Sequence, residues 1–224
     1  MKKNSLYILT CVPVILILII FFPIIFGDKF ISNGDVIFSF YEYFFHAMSG
    51  GPVISQGILI GFPLLASNTG TWFFPAIRLV GTFIEPMTLY ALSIVVSLVL
   101  TYVFSYGYIR RFVSSTFAHI AGATLAVFSG QNMLWVESHA NVMYYPLLPL
   151  VLLLCELILS TSYKYKKVIW WIIVGFALGL GWRVGHVQYI VYIHTFLGIY
   201  VALRLWFATP HIISVQSRIV ALIK

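Results

Sequence analysis

The chain has 224 residues, of which 61% are hydrophobic and 8% charged, with a formal net charge of +7. A soluble domain carries roughly 25% charged residues, so this balance excludes an ordinary water-soluble protein. The positive charge does not mark nucleic-acid binding, because the basic residues stand in twos and threes beside apolar runs, the pattern that encodes membrane orientation.

The first apolar run covers 6–26 and follows Lys2 and Lys3. It is too long for the core of a signal peptide and ends in Phe-Pro-Ile-Ile-Phe, not at a small-residue cleavage site, so a retained first helix is expected. A loop over 27–86 comes next, too long for a simple connection. Within it, six of the 13 residues in 36–48 are aromatic, which predicts a helix lying at the membrane interface. Gly50-Gly51-Pro52 ends that helix, and Gly61-Phe62-Pro63 and Trp72-Phe73-Phe74-Pro75 punctuate a path expected to fold back onto the bundle. Five further runs, 87–109, 112–128, 142–159, 168–184 and 187–207, complete an all-α bundle of about six transmembrane helices, read as a single transmembrane domain. Ala118, Gly122 and Ala126, then Gly175 and Gly179, place small residues at four-residue spacing, which lets helices approach closely in lipid. Cys11 and Cys155 sit in apolar runs and read as packing residues. The stretch 212–224 mixes apolar and basic residues, as an amphipathic helix on the inner surface or as the approach to another helix. On the second reading the chain is an N-terminal part of a longer protein.

Placing the N-terminus inside puts ten of the 13 basic residues on inner segments and leaves only Lys29, Arg78 and Arg183 outside. Loop 27–86 is then extracellular. Glu156 is the one acid within a span, toward its inner end. Asp35 opens the expected interfacial helix and suits two roles. Asp is a favoured N-cap, and a cap at a membrane surface can also face a cleft.

The ordered set of an outer Gly34-Asp35, Gly50-Gly51, Gly61-Phe62-Pro63, Ser129-Gly130, His139, Glu156 and Gly185-His186-Val187-Gln188 with Tyr192 resembles the N-terminal part of YfhO-like bacterial membrane proteins. These belong to the GT-C superfamily of glycosyltransferases. The resemblance implies a helical bundle in the bacterial cell membrane with its active site at the outer face. It implies a polyprenyl-phosphate-sugar donor, and a cell-envelope acceptor such as a teichoic acid, another glycan or a lipid. It makes Asp35 the catalytic carboxylate, with Asp28 the alternative. Members of that family are much longer than this chain.

Glycosyl transfer needs a base for the acceptor hydroxyl, which a carboxylate supplies, and stabilisation of the leaving lipid phosphate. Arg183 suits the phosphate because its planar fork donates two parallel hydrogen bonds. His186 and Gln188 lie beside it, and His139 with Asn141 is a further substrate-binding candidate. Each also reads as a residue anchoring or packing a helix end. His119 and His194 read as packing residues within spans. No metal-ligand spacing is present, and a divalent ion is left open. The rival readings are a lipid or sugar transporter or flippase, which needs ionisable groups or broken helices near the midplane, and a non-catalytic scaffold for envelope synthesis.

Overall fold

The computed structural model describes residues 3–27, 54–55, 62–63, 83–84, 86–134, 144–182 and 187–208. They are almost wholly helical. The exception is an antiparallel pair of two-residue strands, β1 (Ile54–Ser55) and β2 (Phe62–Pro63), with Ser55 opposite Phe62. The expected interfacial helix at 36–48, the Trp72 element and the stretch 212–224 lie outside the described residues.

Helix α1 (Lys3–Ile25) contains Pro13 and Pro23. It stops at Gly27, where any Cβ would lie 2.5 Å from the Pro23 carbonyl oxygen. Helix α2 (Pro86–Ile109) starts on a proline, whose fixed φ and missing N–H suit the first helical turn. One of its faces buries Ser93, Ser97, Thr101 and Ser105, and Thr101 donates its hydroxyl to the Ser97 carbonyl at 2.7 Å. Such small side chains allow the close approach of neighbours. Among the described residues α2 packs against α1, α3 and α5.

Helix α3 (Thr116–Val127) has 12 residues, not the 17 of the expected 112–128 run. Phe112 and Val113 are apolar but belong to the turn after α2, and their N–H groups bond back to Ile109. Ser115 starts the helix by accepting the Ala118 N–H, a normal N-cap role. His119 ties the same turn down, with Nε2 2.6 Å from the Val113 carbonyl oxygen. Five-residue α4 (Gly130–Leu134) follows.

Helix α5 (Leu147–Ser160) begins five residues later than the expected 142–159. Pro146 sets this start, and Pro149 is tolerated because it falls in the first turn, where N–H groups lack helical partners. Helix α6 (Lys164–Gly181) departs the other way: the expected 168–184 excluded Lys164, Lys166 and Lys167, which are helical. Helix α7 (Val187–Ala208) matches the expected 187–207 closely.

The segments Ala91–Ile109 and Gln188–Phe207 are long and apolar enough to cross a membrane, while Thr10–Ile25, Thr116–Val127 and Leu147–Ser160 are shorter apolar helices. The two largest apolar clusters among the described residues lie at either side of the interior, and a smaller one of Leu154, Ile158 and Val174 joins α5 and α6. Ile17, Phe21, Ile94, Leu98 and Val127 join α1, α2 and α3. Leu147, Val151, Ala177, Ile190 and Ile193 join α5, α6 and α7. Large apolar side chains also cover the outside: Ile19 on α1, Ile172 and Phe176 on α6, and Ile199 and Phe207 on α7 are each more than half exposed. Gly122 fits the close-approach reading, since a Cβ there would lie 2.7 Å from Ile109 Cδ1. Gly175 and Gly179 do not, because nothing described lies within 4 Å of a Cβ at either. Cys155 is buried, as a packing residue would be, whereas Cys11 is exposed; both are free thiols.

Candidate functional site

Asp35, Asp28, His139, Arg183 and His186 lie outside the described residues. Gln188 is exposed in the first turn of α7. The structure does bring together the chain ends that flank two of these segments. Tyr144, which follows 135–143, donates its hydroxyl to the Gly181 carbonyl oxygen at 2.8 Å and stacks on Tyr189 at 5.6 Å between centroids. Gly181 and Tyr189 stand on either side of 183–186. A Cβ at Gly181 would lie 2.6 Å from Ile190 Cδ1 and 2.8 Å from Leu147 Cδ2, so glycine lets α5, α6 and α7 converge there. Tyr144, Gly181 and Tyr189 thus meet at one end of the bundle.

At that end a cavity of about 450 Å³ lies between α2, α3, α5 and α7. Thr101 and Ser105 form its α2 wall, Ala126 and Ser129 line it at the end of α3, and Leu148 and Pro149 line it at the start of α5. Tyr189, Tyr192, Ile193 and Phe196 close it from α7. Its size falls within the roughly 300–1,000 Å³ usual for small-molecule sites. It exists because α3 and α5 are short: at 1.5 Å per residue they run about 18 and 21 Å, well below the 30 Å of a bilayer core.

Side chains satisfy the backbone where α3 breaks off. Asn132 donates its amide to the Ala126 carbonyl at 2.6 Å, its N–H reaches Ser129 Oγ at 3.3 Å, and the Tyr145 hydroxyl donates to the Asn132 carbonyl at 3.1 Å. These bonds meet the need of a helix end for partners to its last carbonyls. The described residues lining the cavity include no charged side chain. A cavity of phenols, aliphatic hydroxyls and one carboxamide can bind and orient a ligand. Among the described residues of its lining there is no carboxylate or imidazole to take a proton near neutral pH. Among the described residues no three His, Cys, Asp or Glu side chains gather as a metal site.

No family model matches the chain, and neither does a curated protein or a solved structure.

The opposite end of the bundle carries a charged network. Glu156, 4% exposed, accepts from Arg204 Nε at 2.7 Å and from Nη2 at 2.8 Å. The Tyr200 hydroxyl donates to Glu156 Oε1 at 2.5 Å, and the Tyr108 hydroxyl reaches Tyr200 at 3.1 Å. Arg111 donates to Ser160 Oγ at 2.6 Å, and the Arg204 guanidinium sits 5.4 Å from the Phe112 ring. Sequence reasoning placed Glu156 and Arg204 at the inner side without pairing them. The available signal was that each is a lone charge within an otherwise apolar run.

Sequence reasoning also missed the tyrosine and asparagine lining of the cavity. Ser129 and Tyr192 entered only through the resemblance. The signal was that Asn132, Tyr144, Tyr145 and Tyr189 all stand at ends of apolar runs that the alternating topology places on the same side.

Proposed function

We propose that the chain is a membrane glycosyltransferase of the YfhO-like, GT-C kind, which moves a sugar from a polyprenyl-phosphate donor to a cell-envelope glycan, teichoic acid or lipid. In this reading about six helices span the bacterial cell membrane, with the N-terminus cytoplasmic and loop 27–86 extracellular. The exposed apolar faces of α1, α6 and α7 support the embedding, since contiguous apolar surface of this extent is not sustained in water. The basic residues around the Glu156 network support the orientation. Arg111 and Arg204 meet the α5 end there, close in sequence to Lys164, so this end reads as cytoplasmic.

The observation that carries the reading is the cavity at the opposite end, lined by Tyr144 and Tyr189, which in sequence flank the stretches bearing His139, Arg183 and His186. In this reading the base is Asp35 on the outer loop, the acid to which the family resemblance gives that role. Its carboxylate takes the proton of the acceptor hydroxyl while the acceptor oxygen bonds to the anomeric carbon. The bond from that carbon to the phosphate oxygen breaks, and the phosphate leaves with the bonding pair. Arg183, with His186, Gln188 and His139, binds the phosphate and sugar.

Asp35→Asn tests this, because Asn caps a helix about as well as Asp but cannot act as a base. The expected outcome is normal membrane insertion with sugar transfer reduced by about 100-fold or more. Near-normal transfer from a polyprenyl-phosphate-sugar donor in membranes expressing Asp35→Asn would overturn the assignment. A second reading, a lipid transporter or flippase, draws support from the short helices α3 and α5 beside the cavity, since broken helices mark transporter binding sites. Movement of a fluorescent lipid across vesicles without sugar transfer would favour it.

A further inference from the structure

We infer that the Glu156 end of the bundle docks the headgroup of an anionic phospholipid, with Arg111 as the fixed contact to its phosphate and the lysines of α6 around it. The inference rests on the membrane embedding proposed above and not on sugar transfer. Three observations carry it.

The first is the charge balance. Arg110, Arg111, Lys164, Lys166, Lys167 and Arg204 stand at this end, and Glu156 is the only acid among the described residues. Both of its oxygens are already taken, by Arg204 and Tyr200. Arg204 is therefore matched, and the described residues hold no carboxylate for the other cations.

The second is the setting of Arg111. The turn that carries it is tied down: the Arg110 N–H bonds to the Tyr106 carbonyl, those of Phe112 and Val113 bond to Ile109, and His119 Nε2 holds the Val113 carbonyl. Arg111 is exposed, yet its Nη2 donates to Ser160 Oγ at 2.6 Å. A hydroxyl aims the guanidinium without neutralising it. The N–H donors left over form a planar fork that matches two phosphate oxygens.

The third is the surroundings. Helix α6 opens with Lys164, Lys166 and Lys167 and has no acid in its first turn, although cations oppose the helix dipole at that end. A bound anion offsets that cost. Lys166 lies 4.8 Å from the centre of the Tyr163 ring and 5.9 Å from that of Tyr165, and tyrosine rings favour headgroup depth. The step from Ser160 to Lys164 spans at most about 14 Å, so Arg111 and the lysines lie over one patch of leaflet. Exposed Phe112 and Phe117 beside Arg111, and exposed Ile169 one turn after Lys166, rim that patch. An apolar rim beside a cationic patch fits an anion that carries chains, and not a free phosphate.

The experiment places the full chain in phosphatidylcholine vesicles at about 0.15 M salt, where distant charges are screened. A trace of phosphatidylglycerol or of phosphatidylcholine carries a diazirine at the start of one acyl chain, and adducts are mapped by peptide mass spectrometry. The phosphatidylglycerol probe is expected to label 112–117 and 160–169 about tenfold more than the phosphatidylcholine probe, a preference of about 1.4 kcal/mol. The two probes label the exposed face of α1 alike. Arg111→Gln lowers the ratio to about threefold or less, whereas Arg110→Gln removes the same charge next door and leaves it above about fivefold. Equal labelling by the two probes overturns the inference. So do equal losses in Arg110→Gln and Arg111→Gln, which reduce the patch to diffuse charge, and displacement of the probe by glycerol phosphate, which assigns the site to a soluble anion. A chain that does not embed gives no adducts on α1 either, and Asp35→Asn removes sugar transfer without moving the adduct map, so the readings fail separately.

Discussion

Replacing Arg204 strands a carboxylate that is almost fully enclosed. Glu156 receives two hydrogen bonds from Arg204 and one from Tyr200, and its side chain is 5% exposed. Each bond to a charged group contributes about 1.5–3 kcal/mol, which would put the Arg204 pair at about 3–6 kcal/mol. The Arg204 side chain is 38% exposed, however, so solvent screens the pair. Arg204→Leu is therefore expected to cost about 2–3 kcal/mol. Glu156→Leu costs less, about 1–2 kcal/mol, because the arginine left behind can turn to solvent. The double variant removes both charges and their desolvation, and is expected to cost no more than Glu156→Leu alone. The four proteins then give a coupling of at least about 2–3 kcal/mol. That exceeds the 0.6 kcal/mol typical of hydrogen bonds between membrane helices. The assay is reversible unfolding in mixed micelles, followed by circular dichroism during titration with dodecyl sulfate. Additivity of the two substitutions within about 0.5 kcal/mol would refute the reasoning, and the pair would then be a surface contact without energetic weight.

Gly181→Ala pushes a methyl into the tips of Ile190 and Leu147 and is expected to cost about 1–3 kcal/mol in the same titration. Gly179→Ala on the same helix meets nothing within 4 Å and should stay within about 0.5 kcal/mol of wild type, so equal losses at both positions would contradict the packing described. Cysteine substituted at Ser67 should react with a membrane-impermeant maleimide in intact cells; labelling only after lysis would reverse the proposed orientation.

How far the sequence could be read depends on what ends each helix. The bounds of α2 and α7 were legible, because Pro86 precedes the α2 run and polar residues precede Val187. Helices α3 and α5 were read too long, because Phe112, Val113, Val142 and Met143 are as apolar as the helices beside them. Hydropathy registers what a residue is; the start is set by the Ser115 cap and by Pro146. Lys164, Lys166 and Lys167 produced the opposite error, since charge ends an apolar run without ending a helix. Gln188 was legible as a polar residue at a helix start, and the structure adds that it is exposed. The cavity was not, because it arises from two helices stopping short together, which a chain read one run at a time cannot reveal. The pairing of Glu156 with Arg204 needs the relative register of α5 and α7, and nothing local fixes that.

The two apolar clusters also bear on the order of assembly. One is built almost entirely from α1, α2 and α3, the other from α5, α6 and α7, so each is contiguous in the chain. A chain made from its N-terminus completes the first cluster before the helices of the second have been synthesised. The α2–α3 pairing is local and closes early, whereas the contacts of Tyr108 and Tyr102 with partners 92 residues away span far more chain. Thr101, Ser105 and Ala126 belong to the part made first, and Leu148, Ile193 and Phe196 to the part made last. The cavity is therefore a seam between two halves, absent until the second half docks on the first.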